Sequence, residues 1–259
     1  MLLGALDAGA SKAGMVVIRI TTVPGNGTRF ECLRHAHMEL ECDGGAREEA
    51  AVTALLALAD WTLQLRQGDE RIVFAVEGVE GFVYEGRSST HLFDTCDQAG
   101  GVRLCLRTWA RFRGVKWADV RDVRKTTARA CRRFVFGKEG SHFGDDEVVL
   151  AVQASVSNMP PMPVPVPSPS AKAYAPMHSY DAALVALAVG ADVLGWPSFR
   201  LPPAALAAIA KRRIEAEREK AEKKLLAAAG VTPPKAPRVQ SRGTKRRRRE
   251  AAIAAARRT

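Results

Sequence analysis

The sequence predicts an α/β domain, with a mixed five-stranded sheet flanked by helices and a basic, largely disordered C-terminal tail. Three observations predict it. Strand-length apolar runs come first and then alternate with segments of helical spacing, the order that a meander followed by α/β units takes. Hydrophobic residues make up 47% of the 259 residues, enough for a packed core. The charge is split along the chain: residues 211–259 hold 17 Lys/Arg against 5 Asp/Glu, and residues 1–210 hold 22 against 23. The net charge of +11 therefore comes from the last fifth of the chain. A near-neutral body with a cationic extension suits a polyanionic partner.

Leu2–Leu6 is a short apolar run closed by Asp7, and Ala-Gly-Ala-Ser-Lys-Ala-Gly then leads into the run Met15–Ile20. This reads as strand, glycine turn, strand, with Asp7 at the end of the first strand. Phe30–Cys42 extends the hairpin as a third strand. Residues 47–65 place Val52, Leu55, Leu56, Ala59 and Leu63 at helical spacing. Arg71–Val76 is a compact apolar strand ending at Glu77. Residues 96–113 read as a helix interrupted by Gly100 and Gly101, residues 117–123 as a strand, and 127–136 and 145–156 as short helices. The Pro-rich run 159–176 (MPPMPVPVPSPSAKAYAP) excludes helix and central strand, and is expected to be a semi-rigid loop or linker. Residues 180–194 form a very apolar helix. Residues 204–228 form a second, charged from Lys211 onward, and Pro233-Pro234 stops it. The expected organisation is a folded body over 1–200, with the Pro-rich stretch as an insertion, and a helical then disordered basic tail over 201–259.

Several classes are excluded. The five cysteines are odd in number and widely spaced with no CxxC pair, so a disulfide scaffold is not expected. MLLGALDAG lacks a cationic n-region and meets Asp7 at once, so it does not read as a signal peptide. No apolar run reaches membrane-spanning length. DAGASKAG lacks the GxxxxGK[ST] spacing and leads into a strand, which rejects a P-loop. Cys32, His35, His37 and Cys42 suggest zinc, but on a continuous strand the two cysteines and the two histidines fall on opposite faces. The four tryptophans (Trp61, Trp109, Trp117, Trp196) are dispersed and read mainly as core.

The residues that suit chemistry sit at element ends. Asp7 and Glu77 each close an apolar strand. In His178-Ser-Tyr-Asp181, residues i and i+3 at the start of the apolar helix share a face, so the imidazole and the carboxylate project together. Three carboxylates and one imidazole suit a hard divalent ion, Mg²⁺ or Mn²⁺. Taken singly, each has a plainer reading as a turn residue, a solvated strand end or a helix N-terminal acid. It is the combination that points to a metal centre.

Taken together, LGALDAGASKAGMVVI, FAVEG and HSYDAALVALAV resemble, in order, the first hairpin, the second acidic strand end and the terminal helix of RuvC-like Holliday-junction resolvases, members of the RNase H-like superfamily. Val123–Gly137, with Thr127, Arg129, Gly137 and then Lys138, resembles a segment of phage-type members. The resemblance runs over residues 1–195. It departs at the Pro-rich insertion and at GKEGSHFGDD, which lacks a second downstream lysine.

The resemblance implies an RNase H-like fold and a structure-selective endonuclease acting on branched DNA as a homodimer. It implies two divalent ions clamping the scissile phosphate, with Asp7 bridging both and Glu77, Asp181 and His178 completing their shells. It also implies a cytoplasmic setting in a bacterium or a phage-infected host cell. Helices 47–65 and 96–113 are candidates for the dimer interface. Arg129 and Lys138 are candidate DNA contacts. So is the tail run Lys245, Arg246, Arg247, Arg248 and Arg249, which suits phosphates without base readout. Two alternatives remain: an actin- or sugar-kinase-like ATPase, whose phosphate-binding hairpin DAGASKAG also resembles, and a non-catalytic DNA-binding protein retaining the fold.

Overall fold

A computed structural model describes residues 1–8, 12–25, 27–39, 46–77, 104–168 and 172–228. A mixed sheet forms its centre. Strands β1 (Leu2–Ala8), β2 (Lys12–Val23) and β3 (Gly27–Glu39) make an antiparallel meander. β4 (Ile72–Glu77) adds parallel to β1, and β5 (Val123–Thr126) adds parallel to β4. β6 (Val156–Ser157) pairs with β3 at Phe30 and Glu31. The order is β5-β4-β1-β2-β3-β6, giving six strands among the described residues instead of the expected five. The sixth is too short to leave a period-two pattern in the sequence. With helices on both faces, this is the helix-flanked mixed sheet that the sequence predicts.

β1 and β4 are buried on both faces, which is why LLGALDA and IVFAVE read as nearly unbroken apolar runs. Alternation divides them. Leu3, Ala5, Val73 and Ala75 enter one core, and Leu2, Leu6, Ile72, Phe74 and Val76 enter the other. The second core is closed by α1 (Ala46–Leu65) through Ala54, Leu55, Leu58 and Ala59, and by α2 (residues 104–112) through Leu106, Trp109 and Ala110. The first is closed by α4 (Ala128–Phe136), α5 (Asp145–Ser155) and α6 (Met177–Val193). α6 lies across the sheet with thirteen of its seventeen residues buried, so it needs apolar side chains nearly all round. α7 (Pro203–Ala228) contributes Ala205 and Ile209 to this core and is otherwise largely exposed. Arg212 fastens it to α5, donating to Asp146 at 2.6 Å, and donates within α7 to Glu219 at 2.9 Å.

Three expectations change. Residues 117–123 are not a strand: α3 (Trp117–Val120) is a single helical turn, and β5 begins at Val123, where the chain meets Phe74 of β4. A short run of alternating apolar residues fits either state, and the neighbouring strand decides. The Pro-rich stretch is no free linker over its described part. Met162 is buried in the core, the carbonyls of Pro160 and Met162 accept from Tyr180 and Gln153, and the Val166 N–H donates to Asp146 at 2.7 Å. Finally, a β-bulge in β3 lies opposite Val17 and Ile18, so Cys32 pairs with Ile18 and His35 with Val16. Cys32 and His35 therefore share a face, contrary to the parity of an unbroken strand. Burial pushes the Cys32 thiol up to about 11, as befits a core residue. Cys42 lies outside the described residues, as do 78–103 and the basic run 245–249. No helix among the described residues is long and apolar enough to cross a membrane.

Candidate metal centre

The strand alternation that builds the core also aims the site. Leu6 and Val76 are neighbours in the parallel β1–β4 register, so Asp7 and Glu77 come next, side by side. Both continue the face of Leu3/Ala5 and Val73/Ala75, the face beneath α6. Asp7 also pairs with Gly14 of β2. A Cβ on Gly14 would lie 1.8 Å from the His178 carbonyl oxygen, so only glycine admits the first turn of α6 here. The Ser179 hydroxyl donates to the Ala36 carbonyl at 3.0 Å and fixes the same turn to β3.

The imidazole is thereby brought to the strand end. His178 Nδ1 lies 3.2 Å from Asp7 Oδ2. Asp181, one turn on, completes a group in which one ligand atom from each of Asp7, His178 and Asp181 lies within 4.8 Å of the others. Glu77 stands beside Asp7 at the end of the neighbouring strand, close enough for the Asp7 charge to act on it. All four residues selected from the sequence thus meet at one place.

Three further residues border the cluster. Arg132 of α4 donates to the Phe143 carbonyl at 2.9 Å and to Asp145 at 3.4 Å, and stands 4.0 Å from Asp181. The Tyr174 hydroxyl donates to the other oxygen of Asp145 at 2.9 Å, while its ring meets His178 edge-on at 6.0 Å between centroids. Neither Arg132 nor Tyr174 stood out in the sequence. Asp145 reads there as an ordinary helix N-terminal acid. Only the fold brings them to the strand ends.

Charge is unbalanced here. Burial, reinforced by the charge of Asp7, pushes Glu77 up to about 8, with Arg132 opposing. Burial and then Asp7, Glu77 and Asp145 hold Asp181 well above the usual carboxylate range, again against Arg132. Carboxylates that repel one another at the end of a buried sheet are relieved by a cation. Oxygen donors with one imidazole fit a hard or borderline divalent ion. A soft-metal site would need thiolates, and Cys131, the nearby thiol, is buried and raised to about 12, chiefly by that burial. Arg129 and Lys138, the expected DNA contacts, are both exposed, on α4 and just beyond its end.

No protein-family profile matches the chain, and no curated protein sequence does. Among solved structures, the chain is similar to Thermus thermophilus RuvC, at 17% identity over 75% of this chain and 97% of that one, with a TM-score of 0.47. It is also similar to T. thermophilus RuvC in complex with a Holliday junction substrate, at 19% identity over 75% and 96%, with a TM-score of 0.48. An Aquifex aeolicus PPX-GPPA enzyme matches at 12% identity over 59% of this chain and 40% of that one, with a TM-score of 0.30.

Proposed function

We propose that the chain is a divalent-metal-dependent nuclease that hydrolyses phosphodiester bonds of branched DNA, a junction resolvase of the RuvC-like kind acting as a homodimer. The observation that carries the reading is the meeting of Asp7, His178 and Asp181 within 4.8 Å, with Glu77 beside Asp7 at the end of the paired strand. Preference for branched substrates is supported by the ordered sequence motifs, and the phage-type subdivision by the Thr127–Lys138 segment.

Mg²⁺ or Mn²⁺, two ions per site in this reading, supplies Lewis-acid stabilisation of phosphate charge when bound. The protein's part is to bind and orient. Asp7, Glu77, His178 and Asp181 would hold the ions, with Asp7 next to both Glu77 and His178. His178 is held by the seating of α6 on Gly14 and by the edge of the Tyr174 ring, so its Nδ1 stays towards Asp7. The apolar residues below the strand ends keep solvent from the buried side of the cluster, where fixed charges act more strongly. Arg129, Lys138 and the run 245–249 contact backbone phosphates. That part of the affinity falls with added salt, while the near-neutral body recognises the branch.

The test is incision of synthetic four-way junction, fork and duplex DNA by the full chain with Mg²⁺ or Mn²⁺. Junction incision is expected in wild type, and Asp7→Asn and Glu77→Gln are expected to lower it by about 10³-fold, the scale of several kcal/mol of charge stabilisation. Variants that cut as fast as wild type would place the chemistry elsewhere.

A further inference from the structure

Arg132 is held in a way that suits a fixed charge better than a DNA contact. Its Nη1 is committed to the Phe143 carbonyl and its Nη2 to Asp145, with Asp181 4.0 Å away. Its Nε is buried and has no hydrogen-bond partner among the described residues. A phosphate arriving from solvent cannot reach that nitrogen, and a buried donor left unpaired is destabilising. The neighbouring turn is also built around this side chain. A Cβ on Gly140 would lie 2.7 Å from the Arg132 carbonyl oxygen and 2.3 Å from Phe136 Cβ, so glycine lets the chain fold back and bring the Phe143 carbonyl to the guanidinium.

A guanidinium keeps its proton at every working pH, so a full positive charge stands beside Asp181 whether or not an ion is bound. Towards a divalent cation on Asp181 that charge is repulsive, and at a few ångström inside a protein such repulsion shifts binding by about tenfold or more. We propose that Arg132 is a built-in counter-cation of the site. As a positioning residue it keeps the Asp181 and Asp145 carboxylates in place without an ion, and it holds down the affinity for divalent cations. Metal then binds well only when a further negative group, such as a substrate phosphate, joins the cluster. The inference rests on the metal-binding part of the function proposed above.

The sign of the effect separates this role from a structural one. Calorimetric titration of the full chain with Ca²⁺ at about pH 9, where protons compete little with the ion, is expected to show about tenfold tighter binding for Arg132→Gln than for wild type. Arg132→Lys, which keeps the charge, is expected to stay near wild type. A folded Arg132→Gln that binds Ca²⁺ equally or more weakly overturns the proposal, because loss of support can only loosen the site. If Arg132→Gln does not fold, Arg132→Gln/Asp145→Asn replaces the ion pair by two amides and is compared with Asp145→Asn alone. Tighter binding by the double variant supports the proposal, and equal or weaker binding overturns it. A wild type that binds no Ca²⁺ overturns the metal reading as well. One that binds it through Asp7 yet ignores Arg132→Gln overturns only this inference.

Discussion

The two ends of the central sheet treat carboxylates in opposite ways. At the end where β1 and β4 begin, Glu70 and Asp122 each have cations beside them. Glu70 accepts from Arg19 at 3.0 Å and from the Gln67 N–H at 2.8 Å, with the Met1 amino group 3.8 Å away. Asp122 is clasped between Arg71 and Arg124. Burial alone would raise both acids, but the hydrogen bonds and charges prevail and hold them below the usual carboxylate range. At the other end, Asp7, Glu77, Asp181 and Asp145 have one guanidinium near them among the described residues, that of Arg132, and Glu77 and Asp181 are raised. Ion pairs at the first end stabilise the fold. Among the described residues the second end has fewer cations than acids, an environment that would favour a ligand cation.

The largest effect that sharpens this contrast should come from geometry. Gly14→Ala puts a methyl group into the His178 backbone, so α6 must shift. Displacement of a reacting group by about 1 Å is expected to lower junction incision by about 10²-fold and stability by about 1–3 kcal/mol. Unchanged incision would mean that His178 need not sit against Asp7. A smaller effect, but one of opposite sign at the two ends, should come from neutralising one acid at each. Without divalent ions at about pH 8, Glu77→Gln is expected to raise stability to denaturant by about 1–2 kcal/mol, by removing a repelled charge. Glu70→Gln should lower it by about 1 kcal/mol, reduced by solvent screening, and leave incision untouched. A loss at both positions would erase the distinction drawn here.

Subtlest is the pH dependence. A carboxyl raised in the folded state binds its proton more tightly there than in the unfolded chain, so its contribution is complete below the ordinary value near 4.5. It is lost as pH rises towards about 8 for Glu77, and Asp181 acts in the same direction. Melting of the ion-free chain should therefore fall across that window, and added Mg²⁺ should flatten the fall. In Glu77→Gln the fall should be smaller. A melting temperature that rises over the same interval would contradict the raised values.

Much of this was legible in the sequence because it is periodic. Alternation along LLGALDA and IVFAVE fixes which face Asp7 and Glu77 join, and the i, i+3 spacing of His178 and Asp181 places both on one side of α6. What escaped depends on tertiary neighbours. One extra residue in β3 reverses the parity argument for Cys32 and His35, and no local pattern marks such a bulge. Two-residue β6 exists only because Phe30 offers it an edge. Arg132 is one arginine among several on α4, and its meaning comes from Asp145 on the next helix and Asp181 on α6. Gly14 reads as part of a glycine turn, yet its role is to admit a helix that arrives more than 160 residues later.

On the function proposed above, the crowded carboxylates form a divalent-cation site built on Asp7. Electron paramagnetic resonance of free Mn²⁺, titrated against the full chain, measures that directly. Wild type is expected to bind Mn²⁺, and Asp7→Asn to bind it at least about tenfold more weakly, since one shared carboxylate is lost from a cluster of fixed charges. Equal Mn²⁺ binding by the two proteins would contradict the account.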